Sequence, residues 1–202
     1  MEDIFEDLRV YEHKSMISKV NKATADIKGY IKNNNHNTKE DLEHVLSGVK
    51  VACDYWTGET YVGQRKREDL KNAYQDFFSA LMEMLLLCKA NRSLYENKAA
   101  KKYLYQGKIY RYLGYNSPYT CKQKAIKPEY DGVYVSWSKE PKNGYLESKL
   151  YGKITWIEAE IKSPYFGIDL DAMNSSRGNE KEVVFPTLKD CVTKVEYKGE
   201  NE

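Results

Sequence analysis

The sequence predicts an α+β protein, with helices in its first half and strands in its second half. Up to about residue 100, apolar residues recur at three- and four-residue steps, which is the period of one helix face. Beyond residue 102, short runs of β-branched and aromatic residues are separated by Gly and Pro, as in strands joined by turns. Runs of helices followed by runs of strands are typical of the α+β class.

The helical half contains three segments with a clear pattern. Residues 15–31 carry one apolar stripe, and the Asn-rich run 33–37 ends it. Residues 38–41, Thr-Lys-Glu-Asp, have the order of a capping box, so a second helix is expected to begin there and to end at Gly48. The strongest helix is predicted over residues 68–89, with a Met- and Leu-rich face directed into the core.

The second half contains five predicted strands, at residues 108–112, 131–137, 153–162, 182–186 and 191–198. The change of pattern divides the chain into a helical region, residues 1–102, and a β-rich region, residues 103–202. No Pro- or Ser-rich linker separates them in the sequence. We therefore expect the helices to pack on the sheet as one compact unit.

Composition narrows the class of protein. The chain has 202 residues and a formal net charge of +2, which is too small to indicate nucleic-acid binding by itself. The four cysteines are scattered without a CxxC pair, which favours structural thiols in a reducing compartment over a metal site. The N-terminus is acidic, unlike a secretory signal, and no apolar run approaches the ~20 residues of a membrane span. We expect a cytoplasmic protein with no membrane partner.

Glu180 and Glu182 lie one residue apart at the start of a predicted strand. Because side chains alternate along a strand, both carboxylates are expected on one face, with Lys181 on the other. Such a pair suits chemistry at a sugar anomeric carbon. One carboxylate stabilises an oxocarbenium-like centre while the other accepts a proton or orients the nucleophile. A solvated sheet edge would carry the same pattern.

Two motifs upstream favour the chemical interpretation. In chain order, the sequence contains Ile109-Tyr110-Arg111-Tyr112, Tyr134-Val135-Ser136-Trp137-Ser138 and then the Glu-x-Glu of Glu180 and Glu182. Aromatic-Arg, Ser-x-Ser and Glu-x-Glu on three strands resemble the Arg-Ser-Glu signature of mono-ADP-ribosyltransferases. The resemblance extends from about residue 108 to residue 197. The similar family members are bacterial ADP-ribosylating toxins and phage or defence effectors. It implies a mainly antiparallel β-sandwich core and NAD+ as co-substrate, without a metal.

The resemblance also implies how NAD+ is bound. Arg111 would anchor the diphosphate and the adjacent ribose, since its planar guanidinium suits bidentate contact with phosphate oxygens. Tyr110, the aromatic residue before it, and the two serines of the second motif, Ser136 and Ser138, are also expected to bind the cofactor. Tyr165 or Phe166 would stack on the nicotinamide. Without the rest of the signature, Arg111 would be read as the partner of a neighbouring carboxylate.

The resemblance assigns the catalytic roles to residues of the other two motifs. By resemblance, the Ser136 hydroxyl holds the catalytic carboxylate of Glu182 in place, with Ser138 in support. Glu182 would hydrogen-bond the ribose and stabilise the positive charge that develops as nicotinamide leaves. The middle residue of the Ser-x-Ser motif is usually small, whereas this chain has Trp137, which changes what the opposite face of the sheet packs against.

The acceptor of the ADP-ribose stays open at this point. In the family, a glutamate at the position of Glu180 goes with protein arginine, because its carboxylate can pair with a guanidinium and help deprotonate it. The small polar loop 171–179, which includes Arg177, would recognise the acceptor. It is equally compatible with a phosphate backbone, so RNA or DNA bases are an alternative. Water as the acceptor would make the protein an NAD glycohydrolase.

Two further expectations concern partners. Residues 1–102 carry no chemical motif, and an inhibitor or antitoxin protein is a candidate partner for this region. The resemblance implies a toxin or a defence or phage effector. The alternative outside enzymology is a binding module that has kept the fold and lost turnover.

Overall fold

The computed structural model describes residues 2–57, 68–91, 93–114, 132–141, 154–173 and 181–198. Within these ranges it contains four α-helices and seven strands, and all the strand pairs are antiparallel. The predicted α+β class is therefore confirmed. Internal contacts divide the chain into two compact units, Met1–Lys102 and Tyr103–Glu202. The boundary lies where the sequence changes from a helical to an alternating pattern.

The helices are α1 (Glu2–Lys32), α2 (Lys39–Thr57), α3 (Glu68–Ala90) and α4 (Leu94–Tyr103). A short 3₁₀ turn at Asn34–His36 follows α1, which confirms the break predicted at the Asn-rich run. Helix α3 ends one residue beyond its predicted bound. Helix α4 was not predicted, because Glu96 and Ala100 are its only fully buried residues and it has no apolar stripe.

Gly48 does not end α2, and the expectation that it would is wrong. The helix continues for nine residues to Thr57. Glycine inside a helix costs roughly 0.5–1 kcal/mol relative to alanine. The second half of α2 offsets this cost by burying four more side chains, Val49, Ala52, Cys53 and Trp56. Tertiary packing decides the length of this helix, and the local signal does not.

Aromatic side chains join α2 to α3. Trp56 lies edge-on to Phe78, with ring centroids 4.9 Å apart, and to Tyr74 at 5.0 Å. Phe77 packs against Phe78 at 5.1 Å. The Tyr74 hydroxyl donates a hydrogen bond of 2.8 Å to the carbonyl of Ala52, so the phenol is satisfied inside the core. Helix α1 contacts both α2 and α3 along its buried stripe.

Three cysteines in the described ranges, Cys53, Cys88 and Cys191, are buried free thiols, while Cys121 lies outside those ranges. Burial raises the pKa of the Cys88 thiol to about 11, assisted by the nearby charge of Glu96. The thiol is therefore protonated at neutral pH and behaves as a small apolar side chain. Within the described ranges, no helix combines the length and the apolarity needed to cross a bilayer.

The strands are β1 (Leu104–Tyr105), β2 (Gly107–Gly114), β3 (Tyr134–Ser138), β4 (Ile154–Ile161), β5 (Gly167–Asp169), β6 (Glu182–Pro186) and β7 (Val192–Lys198). They form one sheet in the order β1-β5-β6-β3-β2-β4-β7. All five predicted strands are present. Strands β1 and β5 were not predicted, because two or three residues are too few to show an alternating pattern. The order places β3 between β2 and β6.

One face of this sheet forms the apolar core. Its buried side chains are Ile109, Trp137, Ile157, Ala159, Ile161, Val183, Phe185 and Cys191. The indole nitrogen of Trp137 donates a hydrogen bond of 2.9 Å to the carbonyl of Phe185, so the bulky middle residue of the Ser-x-Ser motif is both buried and satisfied. The two serines flanking it project from the opposite face.

The capping box predicted at residues 38–41 is confirmed. The backbone N–H of Thr38 donates to the Asp41 carboxylate at 2.8 Å, and the N–H of Asp41 donates to the Thr38 hydroxyl at 3.2 Å. Hydrogen bonds from the backbone and then the hydroxyl of Thr38 lower the pKa of the Asp41 carboxyl. These reciprocal bonds begin α2 at Lys39.

Removing this cap should destabilise the helical unit. We expect Thr38→Ala to lower the free energy of unfolding by roughly 0.5–2 kcal/mol, measured from the helical circular dichroism signal in urea. Because the folded-state pKa of Asp41 is lowered, the loss should be full above its ordinary value of 3.8 and shrink as the pH falls below it. Ser47→Ala, at an exposed position of the same helix, is the control and should not destabilise. Equal losses in both variants would contradict the cap.

Gly167 leaves no room for a side chain where β5 meets β6. A Cβ atom there would lie 2.6 Å from Cγ1 of Val183 and 2.9 Å from Cδ1 of Ile161. Since both neighbours are buried in the sheet core, we expect Gly167→Ala to cost roughly 1–3 kcal/mol, followed by tryptophan fluorescence in urea. Gly29→Ala is the matched control, because a Cβ on exposed Gly29 of α1 meets nothing within 4 Å. It should be neutral or stabilising.

Candidate active site

The carboxylate of Glu182 is buried and held by a hydroxyl from the neighbouring strand. Glu182 is the first residue of β6 and is 3% exposed. The Ser136 hydroxyl, on β3, donates a hydrogen bond of 2.5 Å to Oε1 of Glu182. Ser136 is paired with Val184, so its hydroxyl reaches one step diagonally along the face to the carboxylate. The second and third motifs, Ser-x-Ser and Glu-x-Glu, thus meet at one hydrogen bond.

The backbone of Glu182 is fixed as well. Its carbonyl accepts hydrogen bonds from the N–H groups of Leu170, at 3.0 Å, and Asp171, at 3.2 Å. The residue before it, Lys181, has a φ of +47°, which is a left-handed conformation that L-residues with a Cβ seldom adopt. The position of this carboxylate is therefore set from both its side chain and its main chain.

β6 begins at Glu182, as predicted. The expectation that Glu180 shares a face with Glu182 concerns a residue outside the described ranges and stays a prediction. Glu180 and Arg177, the acceptor-recognition candidates, lie outside the described residues, as does most of the loop 171–179.

Tyr110, Ser138 and Glu182 lie in one row across three adjacent strands. Tyr110 is directly opposite Ser138, and Ser138 is directly opposite Glu182. Directly opposed residues of an antiparallel pair project from the same face, so these three side chains share a surface with Ser136. Ser138 is buried, and its hydroxyl accepts a hydrogen bond of 3.1 Å from the N–H of Glu140.

The Arg111 side chain projects from the opposite face of β2, the face of the apolar core. It is opposite Ile157 of β4, which belongs to the apolar core. The Arg111 side chain is half-buried. The strand pairing therefore brings Ser136, Ser138, Tyr110 and Glu182 together, and it does not by itself bring the Arg111 side chain to them.

Phe166 immediately precedes β5, which pairs with β6. Its side chain is half-buried, whereas neighbouring Tyr165 is 44% exposed and its carbonyl accepts a hydrogen bond of 2.8 Å from the amide of Gln106. Both aromatic residues therefore lie one strand away from the strand of Glu182. Stacking on nicotinamide remains a prediction for either one.

A group of charges next to the main chain of residues 181 and 182 was not anticipated from the sequence. The Lys139 ammonium lies 3.1 Å from both carboxylate oxygens of Asp169 and 2.9 Å from Asp171. Burial opposes the charged form of Lys139, but hydrogen bonds to Asp171 and Asp169 outweigh it and raise the lysine pKa. Lys139 and Asp169 are 30 residues apart, so no local pattern connects them. The one available signal was an aspartate inside the short apolar run at residues 167–170.

Such an arrangement can do particular chemistry. A buried carboxylate with a fixed orientation presents negative charge in a region of low dielectric, where it interacts strongly with positive charge that develops on a substrate. Its orientation needs no rearrangement during a reaction, because Ser136 and the backbone already hold it. In the part of the chain that the structure describes, no three His, Cys, Asp or Glu residues are grouped to hold a metal ion.

The two serines of the motif should differ in their effect on stability. Ser136→Ala removes the donor to the buried carboxylate, and a buried group left without its partner costs about 1–3 kcal/mol. We expect the lower part of that range, since Ser136 is exposed and water can take its place. Ser138→Ala removes only an acceptor for a backbone N–H and should cost roughly 0.5–1.5 kcal/mol. Urea unfolding followed by tryptophan fluorescence measures both. A larger loss for Ser138→Ala would contradict the geometry.

Comparisons of the chain with protein-family models, with curated proteins and with solved structures find no match. The argument for a function therefore depends on the residues themselves. The strongest of these are the buried carboxylate of Glu182, the serine that holds it and the three adjacent strands that carry the motifs.

Proposed function

We propose that this protein is an NAD-dependent mono-ADP-ribosyltransferase built on a β-sandwich core of that family. The hydrogen bond between Ser136 and Glu182 is the observation that carries the proposal. A serine holding the catalytic glutamate is what the resemblance implies for these positions. The hydrogen bond joins residues that are 46 positions apart in the sequence, and these are the two positions that the resemblance pairs.

The strand order supports the same proposal. The aromatic-Arg motif lies on β2, the Ser-x-Ser motif on β3 and the final glutamate on β6, and these three strands are neighbours in the sheet. If the motifs were only solvated sheet edges, nothing would require the three strands that carry them to be neighbours. Their adjacency is what a shared site requires.

In the proposed reaction, the bond between C1′ of the ribose and the nicotinamide nitrogen breaks, and its electron pair leaves with nicotinamide. Positive charge develops on C1′ and the ring oxygen, and the Glu182 carboxylate stabilises it. The acceptor then forms a bond to C1′ and loses its proton to a base. The products are ADP-ribosylated acceptor, nicotinamide and one proton.

Arg111 keeps its proposed role as the ligand of the NAD diphosphate. That role requires its long side chain to reach the site from the other face of β2, because the pairing directs it toward the side of Ile157. Tyr110 already lies on the face of Glu182. Since the contribution of Arg111 depends on this reach, a Glu182 variant tests the proposal more sharply than an Arg111 variant does.

Protein arginine is the proposed acceptor, through Glu180 and the loop that contains Arg177. Modification of RNA or DNA, and hydrolysis by water, use the same carboxylate chemistry at C1′ and are outcomes of the experiment below. Action as a cytoplasmic toxin or a defence or phage effector, with an inhibitor or antitoxin protein bound to the helical region, belongs to the same proposal.

The decisive variant is Glu182→Gln, which keeps the size of the side chain and removes its charge. We expect nicotinamide release from NAD+ to fall about 100- to 1,000-fold, the loss typical when one preorganised electrostatic group is removed. Glu160→Gln is the matched control. It removes a carboxylate from β4 that pairs with Lys162 at 2.8 Å, and it should keep the activity of the parent.

Labelled NAD+ incubated with a cell lysate, then separated into protein and nucleic acid, identifies the acceptor. Label in protein that is lost with Glu182→Gln supports the arginine proposal, and label in RNA or DNA replaces it with the nucleic-acid alternative. Free ADP-ribose without labelled macromolecule indicates a glycohydrolase. Equal NAD+ turnover by parent and variant would overturn the assignment of Glu182. Intact NAD+ after incubation of the parent chain with the lysate would favour a binding module.

A further inference from the structure

The charges beside Glu182 form a connected network at the point where β3, β5 and β6 end or begin. Lys139 follows β3, Asp169 ends β5, and Lys181 precedes β6. Asp171 links them, because one of its oxygens lies 2.9 Å from Lys139 and the other 3.5 Å from Lys181. Asp169 is 8% exposed, and the Lys139 side chain is 22% exposed. These are partly buried ion pairs, which solvent screens less than exposed ones.

The backbone joins the same three segments. The N–H of Lys139 donates to the carbonyl of Lys181 at 3.0 Å, and the N–H groups of Leu170 and Asp171 donate to the carbonyl of Glu182. The N–H of Ala172 donates to the Asp169 carboxylate at 3.0 Å. Ion pairs and main-chain hydrogen bonds therefore fix the same two peptide units, those that lead into and out of Glu182.

The left-handed backbone of Lys181 indicates what this network stabilises. A φ of +47° carries a steric cost for a lysine, and contacts in the fold offset it. The contacts available are the carbonyl bond from Lys139 and the ion pair with Asp171. If they are weakened, the backbone at Lys181 is expected to relax, and the carboxylate of Glu182, one residue later, moves with it.

We propose that Lys139 is a positioning residue for Glu182, acting through Asp169, Asp171 and the left-handed Lys181. This inference rests on the proposed role of Glu182 in the reaction. In this proposal Lys139 acts on the main chain and not on NAD+ or the acceptor. It holds the main chain of the catalytic residue, while Ser136 holds the side chain. A carboxylate displaced by about 1 Å loses on the order of 100-fold in rate, so a distant ammonium can control turnover.

The test compares Lys139→Met, Lys139→Arg and Lys108→Met. Methionine keeps most of the length of the side chain and removes its charge, whereas arginine restores the charge. Lys108→Met is the matched control, since Lys108 also pairs with a sheet carboxylate, Glu158 at 3.3 Å, but makes no contact with the network. The rate and the KM for NAD+ are measured by nicotinamide release.

We expect Lys139→Met to lower kcat about 10- to 100-fold with little change in KM, because binding is kept and geometry is lost. Lys139→Arg should recover most of kcat, and Lys108→Met should resemble the parent. An unchanged kcat in Lys139→Met, or an equal fall in Lys108→Met, would overturn the proposal. If Lys139→Met does not fold, Asp171→Asn, which removes the shared carboxylate charge, should show the same fall in kcat.

A second readout separates this inference from the proposed function. Hydrogen exchange of the Lys139, Leu170 and Asp171 amides reports the bonds to residues 181 and 182 without any need for turnover. Lys139→Met should speed exchange at the Leu170 and Asp171 amides and leave strand β4 unchanged. If the parent releases no nicotinamide, the proposed function fails, and exchange alone decides whether Lys139 positions residue 182. Unchanged hydrogen exchange at these amides in Lys139→Met would overturn the positioning role.

Discussion

Burying a carboxylate costs several kcal/mol unless hydrogen bonds replace the water that it loses. Glu182 is 3% exposed, and the Ser136 hydroxyl on β3 donates a hydrogen bond to one of its carboxylate oxygens. Leu170 and Asp171, at the end of β5, donate to its main-chain carbonyl and hold the backbone. The order β5-β6-β3 is what brings these donors to one residue. The sheet is thus arranged so that both the side chain and the main chain of Glu182 are held in place.

Alternation along β3 places its core residue and its two serines on opposite faces of the sheet. Trp137 is buried in the core on one face, and Ser136 and Ser138 project from the other. A bulky residue between two serines is therefore compatible with the site, because the indole never approaches the carboxylate. The same separation explains why Tyr110 and Arg111, adjacent in sequence, belong to different surfaces.

The sequence predicts secondary structure most accurately where a pattern is long and local. Helix α3, with nine buried residues in 23, and β6, with four buried residues in five, were located almost to the residue. The pairing of Ser136 with Glu182 was implied by the resemblance of the motifs to a known signature. Sequence failed where packing overrides a local signal, as at Gly48. It also failed where charges meet only after folding, as for Lys139 with Asp169 and Asp171.

The two units each bury an apolar core of their own, and the three tryptophans are divided between them. Trp56 lies in the aromatic cluster of the helices, whereas Trp137 and Trp156 lie in the sheet. Unfolding of this chain therefore need not be a single two-state step. Tryptophan emission reports mainly on unfolding of the sheet, and far-ultraviolet circular dichroism reports mainly on unfolding of the helices. Any difference between the two denaturation midpoints measures how far one core can open while the other stays closed.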